Sequence, residues 1–309
     1  MGSLFSLFPP IPPPATQLSG RSTVRGEWTK KFRTWSRPAS DSEQTRKART
    51  EKMIRAVVRN HPLFRTRRCR VFVQGSFRNN TNVRTDSDVD ICVVLEAGEI
   101  FIQLDVKQAL QGALEKKFGS GNVSRGNMVL KVRETQKTRV SADVLLATPF
   151  YRPGMGATLL TGSLLGQQGI VILPDDGGKI ISYPDQHHKN GVAKNRATQG
   201  SFKTVVRILK WLRNTLQDEF IITTDTTPSY LVESLVYNCP DRDFTGLDIY
   251  RKVETVLLRC LAAVQSETLS RGWTEVNEIK PLFDDQQSWT REGALIFLGR
   301  ALEHIQFNE

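Results

Sequence analysis

The chain has no apolar run near the ~18 residues that a membrane-spanning helix requires, which excludes a transmembrane protein. Cysteine is scarce. Cys69, Cys92, Cys239 and Cys260 are scattered without a C-x-x-C pair, so neither a disulfide framework nor a zinc ribbon is indicated, and a reducing cytoplasm fits best. Acidic residues are thin over positions 21–84, where 4 Asp/Glu face 18 Lys/Arg, whereas the remaining chain carries 28 against 25. The net charge of +11 is therefore local. Such a block reads either as an electrostatic footprint for polyanions (nucleotides, nucleic acid or an acidic partner) or as solvated helix surface. No internal repeat is visible. What remains is the composition of a globular protein: 309 residues, 39% hydrophobic and 24% charged, enough for two average domains or one two-lobed unit with a real core.

The opening MGSLFSLFPPIPPPATQLSG lacks the basic start and long apolar core of a secretory signal, and its proline cluster reads as a mobile or surface-docked arm over 1–20. Met1, Gly2 and Ser6 match the loose myristoylation pattern. Helix-forming residues dominate from Val24 to Trp35, and again from Ser42 to Arg59 behind an Asp41 or Ser42 cap; His61-Pro62 ends the second helix. Strands are expected over 69–73, 89–95, 128–132 and 139–146, with a helix over 101–118. Residues 21–150 thus form a strand-rich first lobe. A Gly-rich linker follows Pro149, then short strands over 169–173 and 179–182 and helices at about 198–217, 228–239, 245–266 and 291–306, so 151–309 is a mainly helical second lobe.

The first lobe carries the chemistry. Gln74-Gly75-Ser76-Phe77 closes a strand, and 11 residues separate Ser76 from Asp88-Val89-Asp90. A strand ending in Gly-Ser leaves backbone N–H groups and a hydroxyl free to hold a triphosphate where the chain enters a helix. Asp88 and Asp90, at i and i+2 on a strand, point to one face and repel each other unless a cation sits between them. Two Mg²⁺ or Mn²⁺ ions would satisfy them, activating a hydroxyl and neutralising departing pyrophosphate. A third carboxylate is wanted from a neighbouring strand. Asp143, within RVSADVLLA, stands in an apolar run where an unpaired charge is costly. The D-x-D spacing alone also fits strand-edge aspartates; its combination with Gly-Ser upstream and Asp143 downstream does not. Asp86 reads as a loop residue.

GSFRNNTNVRTDSDVDICVVL with Asp143 resembles the nucleotidyltransferase pattern of the DNA polymerase β-like superfamily. The stretches SYPDQHHKNGVAKNRATQGSFKTVVRILKWLRN, TPSYLVESLVYNCPD and IKPLFDDQQSW resemble the bacterial branch of the cyclic GMP-AMP synthase and DncV-like nucleotidyltransferases, from about Arg68 to the C-terminus. The resemblance implies an α+β enzyme: a polymerase β-like lobe with a twisted mixed sheet, a helical lobe, and a cleft between them for two NTPs and two metal ions. It implies a cyclic di- or trinucleotide product that serves as a diffusible second messenger in anti-phage defence and is read by a downstream effector. A linear product, as from an oligoadenylate synthase or a tRNA nucleotidyltransferase, and a non-catalytic nucleotide or nucleic-acid binding module are the alternatives.

In SFKTVVRILKWLRN, Phe202, Val205, Val206, Leu209 and Leu212 make the buried face, while Lys203, Arg207 and Lys210 form a basic stripe that faces either the cleft or solvent. The family resemblance implies that Lys210 and Ser229 hold triphosphate oxygens and that Tyr230 stacks on a base; Ser229 is also a candidate helix cap after Pro228. The vertebrate DNA-sensing synthases carry a His/Cys zinc module, and here His187 and His188 have no cysteine near them. No zinc thumb and no nucleic-acid activator are expected. The basic block with Arg65, Arg67, Arg68 and Arg70 keeps an RNA-activated reading open.

Overall fold

The computed structural model describes residues 18–66, 68–83, 88–96, 103–134, 140–153, 166–223 and 227–307. The expectations for Met1, Gly2, Ser6, Arg67 and Asp86 lie outside these residues. In chain order the elements are α1 Leu18–Trp35, α2 Asp41–Asn60, α3 Pro62–Arg65, β1 Cys69–Val73, α4 Gly75–Asn79, β2 Val89–Leu95, α5 Gln103–Phe118, β3 Val123–Arg125, β4 Val129–Val132, β5 Ala142–Pro153, β6 Gly166–Ile172, β7 Ile180–Ser182, α6 Pro184–Ala197, α7 Ser201–Asp218, α8 Ser229–Tyr237, α9 Ile249–Gln265, α10 Glu267–Ser270 and α11 Arg291–Phe307. The fold is α+β, and among the described residues no helix is long and apolar enough to cross a membrane.

The strands form one mixed sheet in the order β1-β2-β5-β4-β3, and the second half of β5 continues into β6 and β7. Strand β2 runs antiparallel to β1 and parallel to β5. Because side chains alternate, the two faces differ. On one face Val89, Ile91, Val93 and Leu95 of β2 and Ala142, Val144 and Leu146 of β5 pack with Ile54 and Val58 of α2 and Val106, Leu110 and Leu114 of α5. On the other, Cys92, Val94, Leu145 and Ala147 pack with Ile170 and Ile172 of β6. Asp90 and Asp143 are the next residues along that second face, where its apolar cluster stops.

A separate core fills the helical lobe, centred on α7, whose Phe202, Val205, Val206, Leu209 and Leu212 are all buried as the helical spacing predicts. Trp28 and Phe32 of α1 belong to this core. The first helix, expected with the first lobe, therefore packs on the helical one, because its apolar face finds α7 and α9. Two local expectations also change. The cap of α2 is Ser40, whose hydroxyl accepts from the Glu43 N–H at 3.3 Å, in place of Asp41 or Ser42. Helix α6 was not expected, because PDQHHKNGVAKNRA has no apolar stripe; Pro184 opens it, and its polar side chains bond to both lobes.

Candidate active site

Asp90 and Asp143 are direct partners across the parallel β2–β5 pair, on strands about 4.8 Å apart. Asp88 immediately precedes β2, with the neighbouring Val89 N–H bonded to the Ser141 carbonyl at 3.0 Å. The three carboxylates thus meet at one end of the sheet. Burial pushes Asp90 up to about 7, and the nearby Asp143 and Asp88 charges add to it, against the opposing pull of Lys210 and Lys47. Asp143 is raised by burial and by Asp88, and Asp88 by burial. Lys131, the β4 partner of Asp143, opposes the rise at both.

Gly75 follows β1 with φ +66°, and a Cβ there would stand 2.0 Å from Asp90 Oδ2. Only glycine permits this approach. The Gln74 N–H donates to the Asp90 carbonyl at 2.9 Å, so the turn and the aspartate strand are tied together. Helix α4 begins at Gly75 with no side-chain cap, which leaves its first amides open beside the carboxylates, with Ser76 in the first turn.

These residues fit a hard divalent cation. The set offers carboxylate oxygens only, and Asp143 Oδ1 is buried without a hydrogen-bond partner. Among the described residues no three His, Cys, Asp or Glu side chains converge tightly enough to enclose an ion by themselves, so further oxygens would have to come from substrate phosphates or water.

The expected basic stripe of α7 divides. Lys203 is half-buried; its backbone N–H donates to Asn195 Oδ1 at 3.1 Å, and among the described residues its ammonium makes no hydrogen bond or ion pair. Arg207 is buried, and it corrects the expectation of a cleft-facing phosphate contact: its Nε donates to the Ser36 carbonyl and its Nη1 to the Asn80 carbonyl, both at 2.7 Å. Burial lowers its pKa to about 10. Lys210 is also buried, and Nζ donates to Glu233 Oε2 at 2.6 Å and to Thr81 Oγ1 at 3.1 Å. Arg207 and Lys210 are covered by the segment after α1, by the end of α4 and, at Lys210, by Glu233 of α8. Ser229 is exposed at the start of α8; Pro228 occupies the cap position and no side chain caps the helix, so the capping role is not realised. Tyr230 packs between His187, ring centroids 5.0 Å apart, and Trp289 at 6.0 Å, and its hydroxyl donates to Glu275 at 3.0 Å.

Sequence reading missed Lys47, Glu43 and Glu233. Lys47 is fully buried on α2, paired with Glu43 at 2.6 Å, and its charge lowers the pKa of Asp88 and Asp90. Glu233 is fully buried on α8; burial pushes its pKa up, but the Lys210 charge and the His187 contact override this and hold it well below the usual carboxylate range. Charged residues in helices read as solvent-facing, and no local signal in the sequence marks these as interior.

Comparison with known proteins agrees with this geometry. A nucleotidyltransferase domain family matches residues 51–126, and the cGAS/DncV-like nucleotidyltransferase C-terminal helical domain family matches residues 189–306. The chain is 38% identical over 305 residues to a cyclic dipyrimidine nucleotide synthase, CdnE, of Legionella pneumophila, covering 91% of this chain and 99% of that one. It is 30% identical over 292 residues to the cyclic dipyrimidine nucleotide synthase CdnE of Cecembia lonarensis, covering 88% and 96%. Among solved structures, the Elizabethkingia meningoseptica CdnE cyclic dinucleotide synthase with GTP and Apcpp superposes with a TM-score of 0.79 at 29% identity, covering 90% of this chain and 98% of that one. With both lobes matched and near-complete coverage at this identity, the chain belongs to the cGAS/DncV-like nucleotidyltransferase family.

Proposed function

We propose that the protein is a cyclic dinucleotide synthase whose first substrates to test are pyrimidine nucleoside triphosphates. The observation that carries the reaction type is the cross-strand Asp90–Asp143 pair under the glycine turn at Gly75. The base preference rests on the two relatives named as dipyrimidine synthases. A ribose hydroxyl of one NTP attacks the α-phosphorus of the other; the bond to pyrophosphate breaks and the hydroxyl proton is lost. A second such step closes the ring and releases a second pyrophosphate. Mg²⁺ or Mn²⁺ ions held by Asp88, Asp90 and Asp143 would supply charge neutralisation at the attacking and departing oxygens.

In this reading Gln74, Gly75 and Ser76 hold triphosphate oxygens with the open α4 amides and the Ser76 hydroxyl. Lys203 and Ser229 approach the phosphates from the helical lobe. Lys210 spends two of its three N–H groups on Glu233 and Thr81 and offers the third. Tyr230, braced by His187 and Trp289, flanks a base. The enzyme works in the cytoplasm, consistent with four free cysteines, and needs no nucleic-acid activator; its product is a second messenger in anti-phage defence.

The test incubates nuclease-treated protein with each α-labelled NTP, singly and in pairs, with Mg²⁺ or Mn²⁺, followed by phosphatase. A phosphatase-resistant product, strongest with UTP or CTP, is expected. A product that phosphatase trims to a dinucleoside monophosphate, releasing its 5′-terminal label and keeping the label in the linkage, would mark a linear transferase, whereas conversion of all label to free phosphate, as from unreacted NTP, would leave a binding module.

A further inference from the structure

Asn79, Asn80 and Thr81 form the corner where α4 ends, and the helical lobe holds all three. His188 Nδ1 lies 3.0 Å from Asn79 Oδ1, and His187 Nδ1 lies 3.4 Å from Asn79 Nδ2. The Asn80 residue is left-handed, φ +55°, and its carbonyl accepts from Arg207 at 2.7 Å. Thr81 is fully buried; its hydroxyl donates to Glu233 Oε2 at 2.8 Å and accepts from Lys210 at 3.1 Å. Glu233 also receives Lys210 on Oε2 and His187 Nε2 on Oε1, the latter at 2.9 Å; a carboxylate only accepts, so that nitrogen carries the proton. Three helices, α6, α7 and α8, thus converge on three consecutive residues of the other lobe.

The corner is bonded back towards the carboxylates. The Thr81 N–H donates to the Ser76 carbonyl at 2.9 Å, and Gly75, one residue earlier, lies against Asp90. Apolar contacts between lobes tolerate sliding, whereas buried hydrogen bonds fix distance and angle and are costly to leave unmade. We propose that this corner is a latch by which the helical lobe sets the position of the Gly75–Ser76 turn over Asp90, making Thr81 and Glu233 positioning residues for nucleotidyl transfer. The proposal rests on the function proposed above. Displacements of about 1 Å in such a site cost on the order of 100-fold in rate.

Thr81→Val keeps volume and removes the hydroxyl, and Thr81→Ser keeps the hydroxyl and removes a methyl. If the latch acts through its hydrogen bonds, Thr81→Val lowers kcat about tenfold or more with KM within about threefold, and Thr81→Ser stays within about threefold of wild type. Hydrogen exchange of the peptide spanning 74–83 then accelerates in Thr81→Val and not in Thr81→Ser. If Thr81 only packs, the order reverses, with Thr81→Ser the more damaged, and the proposal is overturned; equal exchange and kcat in wild type and Thr81→Val overturn it equally. Should Thr81→Val fail to fold, Arg207→Met decides on the same two readouts, and wild-type values for both would overturn the latch. Absence of product from wild-type protein would sink the proposed function alone, since the exchange comparison reads the latch without turnover.

Discussion

The two faces of the central sheet are built from the same strands and have opposite characters. On the face covered by α2 and α5, Val89, Ile91, Val93 and Leu95 of β2 are all apolar and belong to a buried core. On the other face the same strand presents Asp90, Cys92 and Val94, and β5 presents Asp143, Leu145 and Ala147, so carboxylates replace apolar side chains at one end. The first face stabilises by burial. The second brings carboxylates together, and burial with their mutual repulsion raises the pKa values of Asp90 and Asp143. A core position and a candidate catalytic position are therefore adjacent residues on one strand.

The largest expected effect separates these roles on the functional face. Asp88→Asn with Asp90→Asn should cut turnover by at least about 100-fold and leave the circular dichroism spectrum unchanged. Retention of more than about a tenth of wild-type turnover would assign both residues to the strand edge.

On the opposite face, Ile91→Ala should destabilise by about 2–5 kcal/mol through lost burial and the cavity left behind, measured by denaturant titration. The folded fraction should keep its activity. A loss below about 1 kcal/mol would mean that this face is not a packed core.

Gly75→Ala brings the two faces' demands into conflict at one atom. The added Cβ meets Asp90 Oδ2, and φ +66° disfavours any side chain, so the variant should lose about 1–2 kcal/mol of stability and most of its turnover. An active, equally stable Gly75→Ala would show that the turn is free to move.

The smallest effect is a pH dependence of opposite sign to that of a paired carboxylate. The Asp90 pKa is raised in the folded state, to about 7, so the folded protein binds this proton more tightly than the unfolded chain. Its stabilising contribution is present below the unfolded value of about 4 and is lost as pH rises through about 7. Asp90→Asn cannot ionise. Without divalent ions it should melt a few degrees above wild type at pH 8 and match it near pH 4; adding Mg²⁺ at pH 8 should raise the wild-type melting temperature and close the gap. A variant that melts lower at pH 8 would contradict the buried, repelling arrangement.

Legibility followed the same division. Strands β1 and β2 have the boundaries expected from runs of β-branched residues between polar or Gly turns, and the buried face of α7 follows its 3.6-residue spacing. Helix α6 was missed because its residues are polar on every side and its stability comes from bonds to other elements, such as Lys194 to the Cys239 carbonyl at 2.6 Å. Spacing puts Arg207 and Lys210 on a stripe that faces either the cleft or solvent, because charge spacing on a helix does not reveal what packs over it. Arg65, by contrast, is exposed at the end of α3.

By itself the sequence indicated the strands β1 and β2 and the buried face of α7, and it grouped Gly75, Ser76, Asp88, Asp90 and Asp143 as candidates for one site. These follow from backbone periodicity and residue type, which are local properties. The tertiary structure alone decided that Lys47, Arg207, Lys210 and Glu233 are interior, that α1 belongs to the helical lobe, and that Asn79, Asn80 and Thr81 join the lobes. A charged side chain is stable inside only when a partner meets it, and where that partner is remote in sequence, as Thr81 is from Glu233 across 152 positions, the meeting exists only once the chain has folded.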